Sequence, residues 1–182
     1  LGQSADIDVT GTDVVYGADA GVINRSSGNL ILSSSDKTFA LEKDFTIPYL
    51  IVDTDVTYGD DENILIGTRL ELDNDFEFDG ADGKLQITDN STIVRDDDDG
   101  SDVLTEKPVF PSDGQYNVTY NGTSGTHDAS YELDNASGTI RNVTVNDGLD
   151  VVNTLSGTVT VNGTLSLNAG NVSHGDSGER QI

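Results

Sequence analysis

The sequence has 182 residues, with 9 Lys and Arg against 33 Asp and Glu, so its formal net charge is −24. A chain this acidic repels nucleic-acid phosphates and anionic lipid headgroups, so we expect it to bind neither nucleic acid nor a membrane surface. It contains no cysteine, which excludes a disulfide framework, a thiol nucleophile and a zinc-thiolate site. Its uncharged stretches are too short for a membrane-spanning helix, so direct membrane insertion is not expected either.

Short segments in which apolar and polar residues alternate run along the chain and predict β-strands. In chain order they are 5–10, 45–58, 63–72, 75–79, 84–94, 115–120, 129–133, 139–145, 149–155 and 157–169. The last is the clearest, because every odd position from Gly157 to Ala169 is apolar or Gly and every even one is Thr, Asn or Ser. Only 36–45 suggests a helix, and it is short.

Pairs that favour tight turns separate these segments. Examples are Asp82-Gly83, Asp113-Gly114 and Asn121-Gly122, which tolerate positive φ and are typical of β-hairpins. About eight to eleven short strands with frequent turns predict an all-β fold with little or no helix. The expected architecture is an antiparallel β-sandwich or jelly roll.

The distribution of aromatic residues bears on the number of domains. Eight of the eleven aromatics precede residue 111, and none follows Tyr131. We expect a single domain over 1–182. The alternative is a separate, solenoid-like β-unit at 134–182, since 138–151 and 157–170 are loosely similar, but two pieces fall short of the three repeats a solenoid needs.

The most specific motif is the N-glycosylation acceptor Asn-x-Ser/Thr, which occurs eight times. The acceptors are Asn24, Asn90, Asn117, Asn121, Asn135, Asn142, Asn162 and Asn171. Because a glycan is bulky and hydrated, each occupied Asn must lie in a loop or on the wet face of a strand. Strand phase places Asn117, Asn121 and Asn162 on polar faces, so the sequence predicts N-linked glycans at several of these positions.

The acid excess is spread along the chain, with few lysines and no basic patch. Runs such as Asp60-Asp61-Glu62, Asp73-Asn74-Asp75 and Asp96 to Asp99 carry it, and Met is absent together with Cys. In these features and in its sequon density the chain resembles secreted surface glycoproteins of halophilic archaea. The resemblance implies an S-layer-like or filament subunit located at the cell surface. The chain begins at Leu1 without a charged and apolar leader, so we expect a secretory signal to have been removed.

Closely spaced carboxylates also suggest calcium, which binds several oxygens from Asp, Asn and carbonyl groups. The candidate ligands are Asp53, Asp55, Asp73, Asp75, Asp79 and Asp82. None of these groups follows the EF-hand pattern, and a solvated acidic face is the alternative. No cofactor is required on this interpretation.

The inventory of catalytic groups is small. The two histidines, His127 and His174, lie in segments rich in Gly, Ser and Thr, and Ser173, His174 and Asp176 are too close in sequence to suggest a triad. The glycines sit in turns and form no phosphate-binding loop before a helix. We therefore expect no enzymatic activity.

Two non-enzymatic functions remain. The first is a homopolymer, such as a filament, pilus or sheath, assembled non-covalently by donation of an N-terminal strand to the neighbouring subunit. Residues 1–15 contain that strand, with Ala5, Ile7 and Val9 alternating, and an ordinary edge strand is the alternative. The second is an adhesin, a carbohydrate- or surface-binding module, or a surface protein of a virus that infects a halophile.

Overall fold

The chain forms a parallel β-solenoid, or β-helix, in a computed structural model. The residues described are 7–9, 13–16, 29–33, 37–41, 44–59, 61–73, 78–79, 82–96, 104–122, 126–129, 131–133, 140–146, 150–153, 159–168 and 170–174. Every strand pairing among them is parallel. Each pass of the chain therefore adds one strand to a growing stack.

The described residues contain sixteen strands and one short 3-10 helix, Tyr131–Leu133. The strands are β1 Ile7–Val9, β2 Asp13–Tyr16, β3 Leu30–Ser33, β4 Lys37–Leu41, β5 Phe45–Asp53, β6 Val56–Tyr58, β7 Ile64–Asp73, β8 Phe78–Asp79, β9 Leu85–Ile87, β10 Thr92–Asp96, β11 Tyr116–Asn121, β12 Thr126–Ala129, β13 Ile140–Val145, β14 Asp150–Asn153, β15 Leu165–Leu167 and β16 Asn171–His174.

The largest sheet stacks eight of these strands in the order β1-β3-β5-β7-β10-β11-β13-β15, and β9 pairs with β7 beside this row. One column of paired residues runs the length of the row: Ile7, Leu30, Leu50, Leu70, Ile93, Val118, Val143 and Leu165. Successive members are separated by between 20 and 25 residues, which is the length of one coil of the solenoid. From Leu30 onwards the aliphatic side chains of this column therefore stack directly on one another.

Two smaller parallel sheets cover another side of the solenoid. They have the orders β2-β4-β6-β8 and β12-β14-β16, and a bridge from Phe78 to Leu104 extends the first of them. Phe39 and Tyr58 are paired in register in the first sheet, with ring centroids 5.9 Å apart. The side chains of the sheets enclose one continuous apolar core.

A corner divides the long strands where the main sheet bends. Pro48 lies in β5 at a shift of register between Ile47 and Tyr49, and a Cβ on Gly67 in β7 would lie 3.3 Å from Pro48 Cα. In the next coil the corner is a turn at Asn90, whose φ of 65° is left-handed, and Asn tolerates this conformation. Proline and glycine in these strands therefore mark corners of the coil.

The expected all-β class is confirmed, but the antiparallel β-sandwich or jelly roll is wrong. Alternation identifies a strand with one buried face, and it carries no information on whether the neighbouring strand is parallel or antiparallel. The turn-forming pairs bend the chain between faces of a coil here. The helix expected at 36–45 is also wrong, because Lys37–Leu41 is strand β4. The main sheet runs without interruption into the region 134–182, where β13 and β15 continue it.

Candidate functional site

The two ends of the solenoid are its least satisfied surfaces. At the C-terminal end, β15 pairs with β13 on one side, and no described strand pairs with its other side. Leu165 and Leu167 are 40% and 41% exposed, whereas Leu50 and Leu70 in the same sheet are completely buried. These leucines occupy core columns that have no next coil above them in the described part of the chain.

The N-terminal end carries the predicted donor strand. Ala5 lies outside the described residues, whereas Ile7 and Val9 belong to β1, which pairs in parallel with β3 of its own chain. Among the described strands β1 is thus an edge of the main sheet, which is the alternative interpretation. Donation of this strand to a neighbouring subunit stays a prediction.

A ladder of polar residues runs along the carboxyl end of the main strands. It comprises Ser33, Asp53, Asp73, Asp96, Asn121, Asn146 and Asn168. Each follows an apolar pair with one residue between its members, except that Arg95 takes the second place of the pair before Asp96. We call this set the polar ladder. After Ser33, its three aspartates form an acidic half and its three asparagines form an amide half.

The amide half of the polar ladder is hydrogen-bonded from coil to coil. Asn146 Nδ2 donates to Asn121 Oδ1 at 2.8 Å, and Asn168 Nδ2 donates to Asn146 Oδ1 at 2.6 Å. A second amide pair lies at the other end of the strands, where Asn142 Nδ2 donates to Asn117 Oδ1 at 2.9 Å. Stacked amides of this kind satisfy each other along the solenoid axis.

The predicted glycosylation acceptors differ in their surroundings. Asn162 and Asn90 are exposed, whereas Asn117, Asn121 and Asn142 are half-buried, and Asn117 and Asn142 have their Nδ2 atoms in hydrogen bonds. Asn90 Oδ1 also accepts from Arg141 Nη1. Asn171 lies in β16, and Asn24 and Asn135 lie outside the described residues. Glycosylation at the eight acceptors stays a prediction.

The structure does not gather the predicted calcium ligands into one site. Asp53 and Asp55 flank buried Thr54 at the end of β5, and Asp79 Oδ1 accepts from Thr105 Oγ1 at 2.9 Å. Asp82 is exposed, and Asp75 lies outside the described residues. In the described ranges no group of three or more His, Cys, Asp or Glu side chains is placed to hold a metal ion.

The two histidines are also apart in the fold. His127 lies in β12 and His174 lies in β16, and β14 runs between these strands. Within the described part of the chain no helix has the length and apolar character needed to cross a bilayer.

One ionic group is buried inside the solenoid, and the sequence analysis did not anticipate it. Arg95 stands in a core column between Leu72 and Tyr120, and its Nη1 lies 2.9 Å from Glu132 Oε1. Both side chains are fully buried. Tyr120 donates to the same Oε1 at 3.2 Å, and Tyr116 donates to the Glu132 backbone oxygen at 2.9 Å. The short 3-10 helix therefore carries a counter-charge into the core.

This group sets the ionisation of its tyrosine. Burial and the nearby negative charge of Glu132 raise the pKa of Tyr120 well above its usual value of 10.0. At the surface the effect is opposite, since hydrogen bonds from the Asn63 backbone and side chain lower the pKa of Asp44. The Asp44 carboxylate thus ties the start of β5 to the start of β7.

The sequence contains a signal both for the buried ion pair and for the polar ladder. Arg95 shares the apolar phase of Ile93, which is an unusual place for a charged residue and calls for a partner. The polar ladder follows a four-residue pattern that recurs once per coil, in LILS, LIVD, LELD, IVRD, VTYN, VTVN and LSLN, starting at Leu30, Leu50, Leu70, Ile93, Val118, Val143 and Leu165. Comparison with known proteins finds no matching family model, no similar characterised protein and no similar solved structure.

Proposed function

We propose that this chain is a structural, non-enzymatic subunit of an extracellular polymer, such as a filament, pilus or sheath, in which solenoids stack end to end. The observation that carries the proposal is the exposure of Leu165 and Leu167 on a strand edge with which no described strand pairs. Such edges are templates for pairing with another chain, and proteins that stay monomeric usually cover them.

The sides of the solenoid suit an exterior surface. The net charge of −24 keeps a subunit soluble and opposes lateral aggregation. End-to-end stacking confines the contact between two subunits to a small, mostly apolar area. The remaining repulsion between the two acidic subunits is weakest when salt screens it. A head-to-tail contact of this kind is heterologous, so it extends into a filament when it does not close into a ring.

Location outside the cell and N-linked glycans belong to the same proposal. Asn162 and Asn90 are the acceptors whose exposure best fits a glycan among those with described side chains. Sugars on the sides of the solenoid would leave the ends free for stacking.

Electron microscopy of native material at molar and at low salt tests the proposal. Eight strands at a spacing of about 4.8 Å give an expected axial repeat of about 38 Å per subunit in a directly stacked fibre. Fibres with that repeat would support the proposal. Separate particles of one subunit mass at every salt concentration would overturn it and favour the adhesin or surface-binding alternative.

A further inference from the structure

The first and last strands of the main sheet match both in register and in their pattern of apolar and polar residues. Its first strand, β1, and its last, β15, are joined through the same columns of paired residues. One column begins at Ile7 and ends at Leu165, and another begins at Val9 and ends at Leu167. The sequences of both strands thus place two aliphatic residues, with one polar residue between them, at matching register positions.

We infer that β15 of one copy pairs in parallel with β1 of the next copy, with Leu165 opposite Ile7, Ser166 opposite Asp8 and Leu167 opposite Val9. This inference rests on the proposed polymer and names the interface that builds it. The pairing continues each aliphatic column with the residue type that fills it in every coil except that of Arg95 and the following coil of Tyr120.

The choice of a second copy as the partner follows from what the columns require. A strand that pairs in parallel with β15 and continues both aliphatic columns needs an apolar residue, then any residue, then a second apolar residue. The strand β1 has this pattern in IDV.

The second side of the solenoid has edges at the same two ends. The strand β2 is the first of its sheet and pairs with β4, and β16 is the last of its sheet and pairs with β14. Each end therefore presents two strand edges to the neighbouring copy. Two edges fix the rotation of one subunit on the next, which a single strand pair would leave free.

Engineered disulfides test the register directly, because the chain has no cysteine of its own. In the inferred interface the Cα atoms of Asp8 and Ser166 from neighbouring copies lie about 4.8 Å apart, within the range a disulfide spans. Within one copy they are seven strand spacings apart, roughly 34 Å, so only an intermolecular disulfide can form.

We expect the variant Asp8→Cys/Ser166→Cys to give a ladder of covalent oligomers on non-reducing gels after mild oxidation. The matched control Asp8→Cys/Thr164→Cys moves the second thiol two residues back, to the residue just before β15, which is roughly 8 Å from residue 8 of the neighbouring copy. It should give at least tenfold less cross-linked product. Equal cross-linking of the two variants, or none in either, would overturn the inferred register.

A second variant separates this inference from the polymer itself. Leu165→Asp/Leu167→Asp changes two exposed side chains, so the subunit should keep its circular dichroism spectrum while its fibre yield falls at least tenfold. Fibres from the parent chain without cross-linking of the cysteine pair would refute the interface and leave the polymer standing. If the parent chain itself forms no fibres, both the interface and the polymer are refuted.

Discussion

Arg95 and Glu132 form the one fully buried ion pair in the described part of the chain, at a position where neighbouring coils place Leu72 and Tyr120. Glu132 Oε1 accepts from both Arg95 and Tyr120, while Glu132 Oε2 is buried without a donor among the described residues. A buried ion pair of this kind contributes little net stability as a whole. Removal of one partner is nevertheless costly, because the other charge stays buried in the core.

We therefore expect Glu132→Gln to lower the free energy of unfolding by about 3–5 kcal/mol, because the buried Arg95 guanidinium then loses the carboxylate that lies 2.9 Å from its Nη1. Urea unfolding followed by circular dichroism measures the change. The double variant Arg95→Met/Glu132→Gln removes both charges and keeps an amide oxygen for the Tyr120 hydroxyl, so it should recover most of the loss. A loss below about 1 kcal/mol in the single variant would contradict the buried geometry.

Tyr120 makes stability depend on alkaline pH. Its folded-state pKa is raised above 10.0, so its contribution is complete below pH 10 and declines as pH rises from there towards the folded pKa. The expected slope is about 1.4 kcal/mol per pH unit from this one group. Urea midpoints measured between pH 8 and pH 11.5 report it. Tyr120→Phe is the control for the other tyrosines, and an equal slope in the variant would show that Tyr120 is not the group responsible.

At the scale of the strand, the polar ladder changes from acid to amide between Asp96 and Asn121, which are paired in register. Amide side chains can donate and accept along the axis at once, whereas carboxylates of neighbouring coils only repel one another. The C-terminal coils are thus held by hydrogen bonds from one amide to the next, from Asn168 through Asn146 to Asn121.

We expect Asn146→Ala to cost about 1–2 kcal/mol, because it removes two ladder hydrogen bonds, and Asn168→Ala to cost about half as much, because it removes one. Asp96→Asn should act in the opposite direction and raise stability by about 0.5–1 kcal/mol at low salt, since it adds an amide to the ladder and removes a like charge. Denaturant midpoints of the three variants check the order. Equal losses for Asn146→Ala and Asn168→Ala would contradict a continuous ladder.

Most of the strands were predictable from the sequence, and their partners were not. The predicted segments missed β2, β3, β4 and β16, and the predicted strand 129–133 is wrong over the 3-10 helix Tyr131–Leu133. Val143 and Val145 alternate with Asn142 and Thr144 as a half-buried strand requires, and that pattern is common to antiparallel and parallel sheets. What indicates parallel pairing in the sequence is the number of residues between equivalent positions of successive coils. Because the interval varies between 20 and 25 residues and the repeated unit is only four residues long, the repeat is weak beside the turn signals, which favour hairpins.

The candidate site could be predicted from the sequence only in part, because the pairing of strands could not be predicted. Ile7 and Val9 lie in β1, which is an edge of the main sheet among the described strands, as the alternative to strand donation requires. The alternation at 157–169 predicts a buried face that includes Leu165 and Leu167, and both are exposed, because periodicity cannot tell the last coil of a described stack from an inner one. Arg95 was missed because its partner Glu132 is 37 residues away in sequence and lies in a short 3-10 helix without a periodic pattern.

For the whole molecule, the charge of −24 sits on a solenoid whose coils are about 4.8 Å apart, so like charges of successive coils are close. Their repulsion opposes folding until salt screens it, and the screening length falls from about 10 Å at 0.1 M to about 3 Å at 1 M. We expect the urea midpoint to rise steadily between 0.1 and 1 M NaCl. Urea is suited to this measurement because it carries no charge.

The identity of the salt separates screening from specific ion binding. If repulsion between carboxylates governs stability, NaCl and KCl at equal ionic strength should give the same urea midpoint, and a few millimolar CaCl2 should add nothing once ionic strength is matched. An extra rise with calcium that Asp53→Asn or Asp73→Asn abolishes would instead assign a bound ion to the acidic half of the polar ladder. A midpoint that does not change with NaCl would contradict the screening account of the acidic residues.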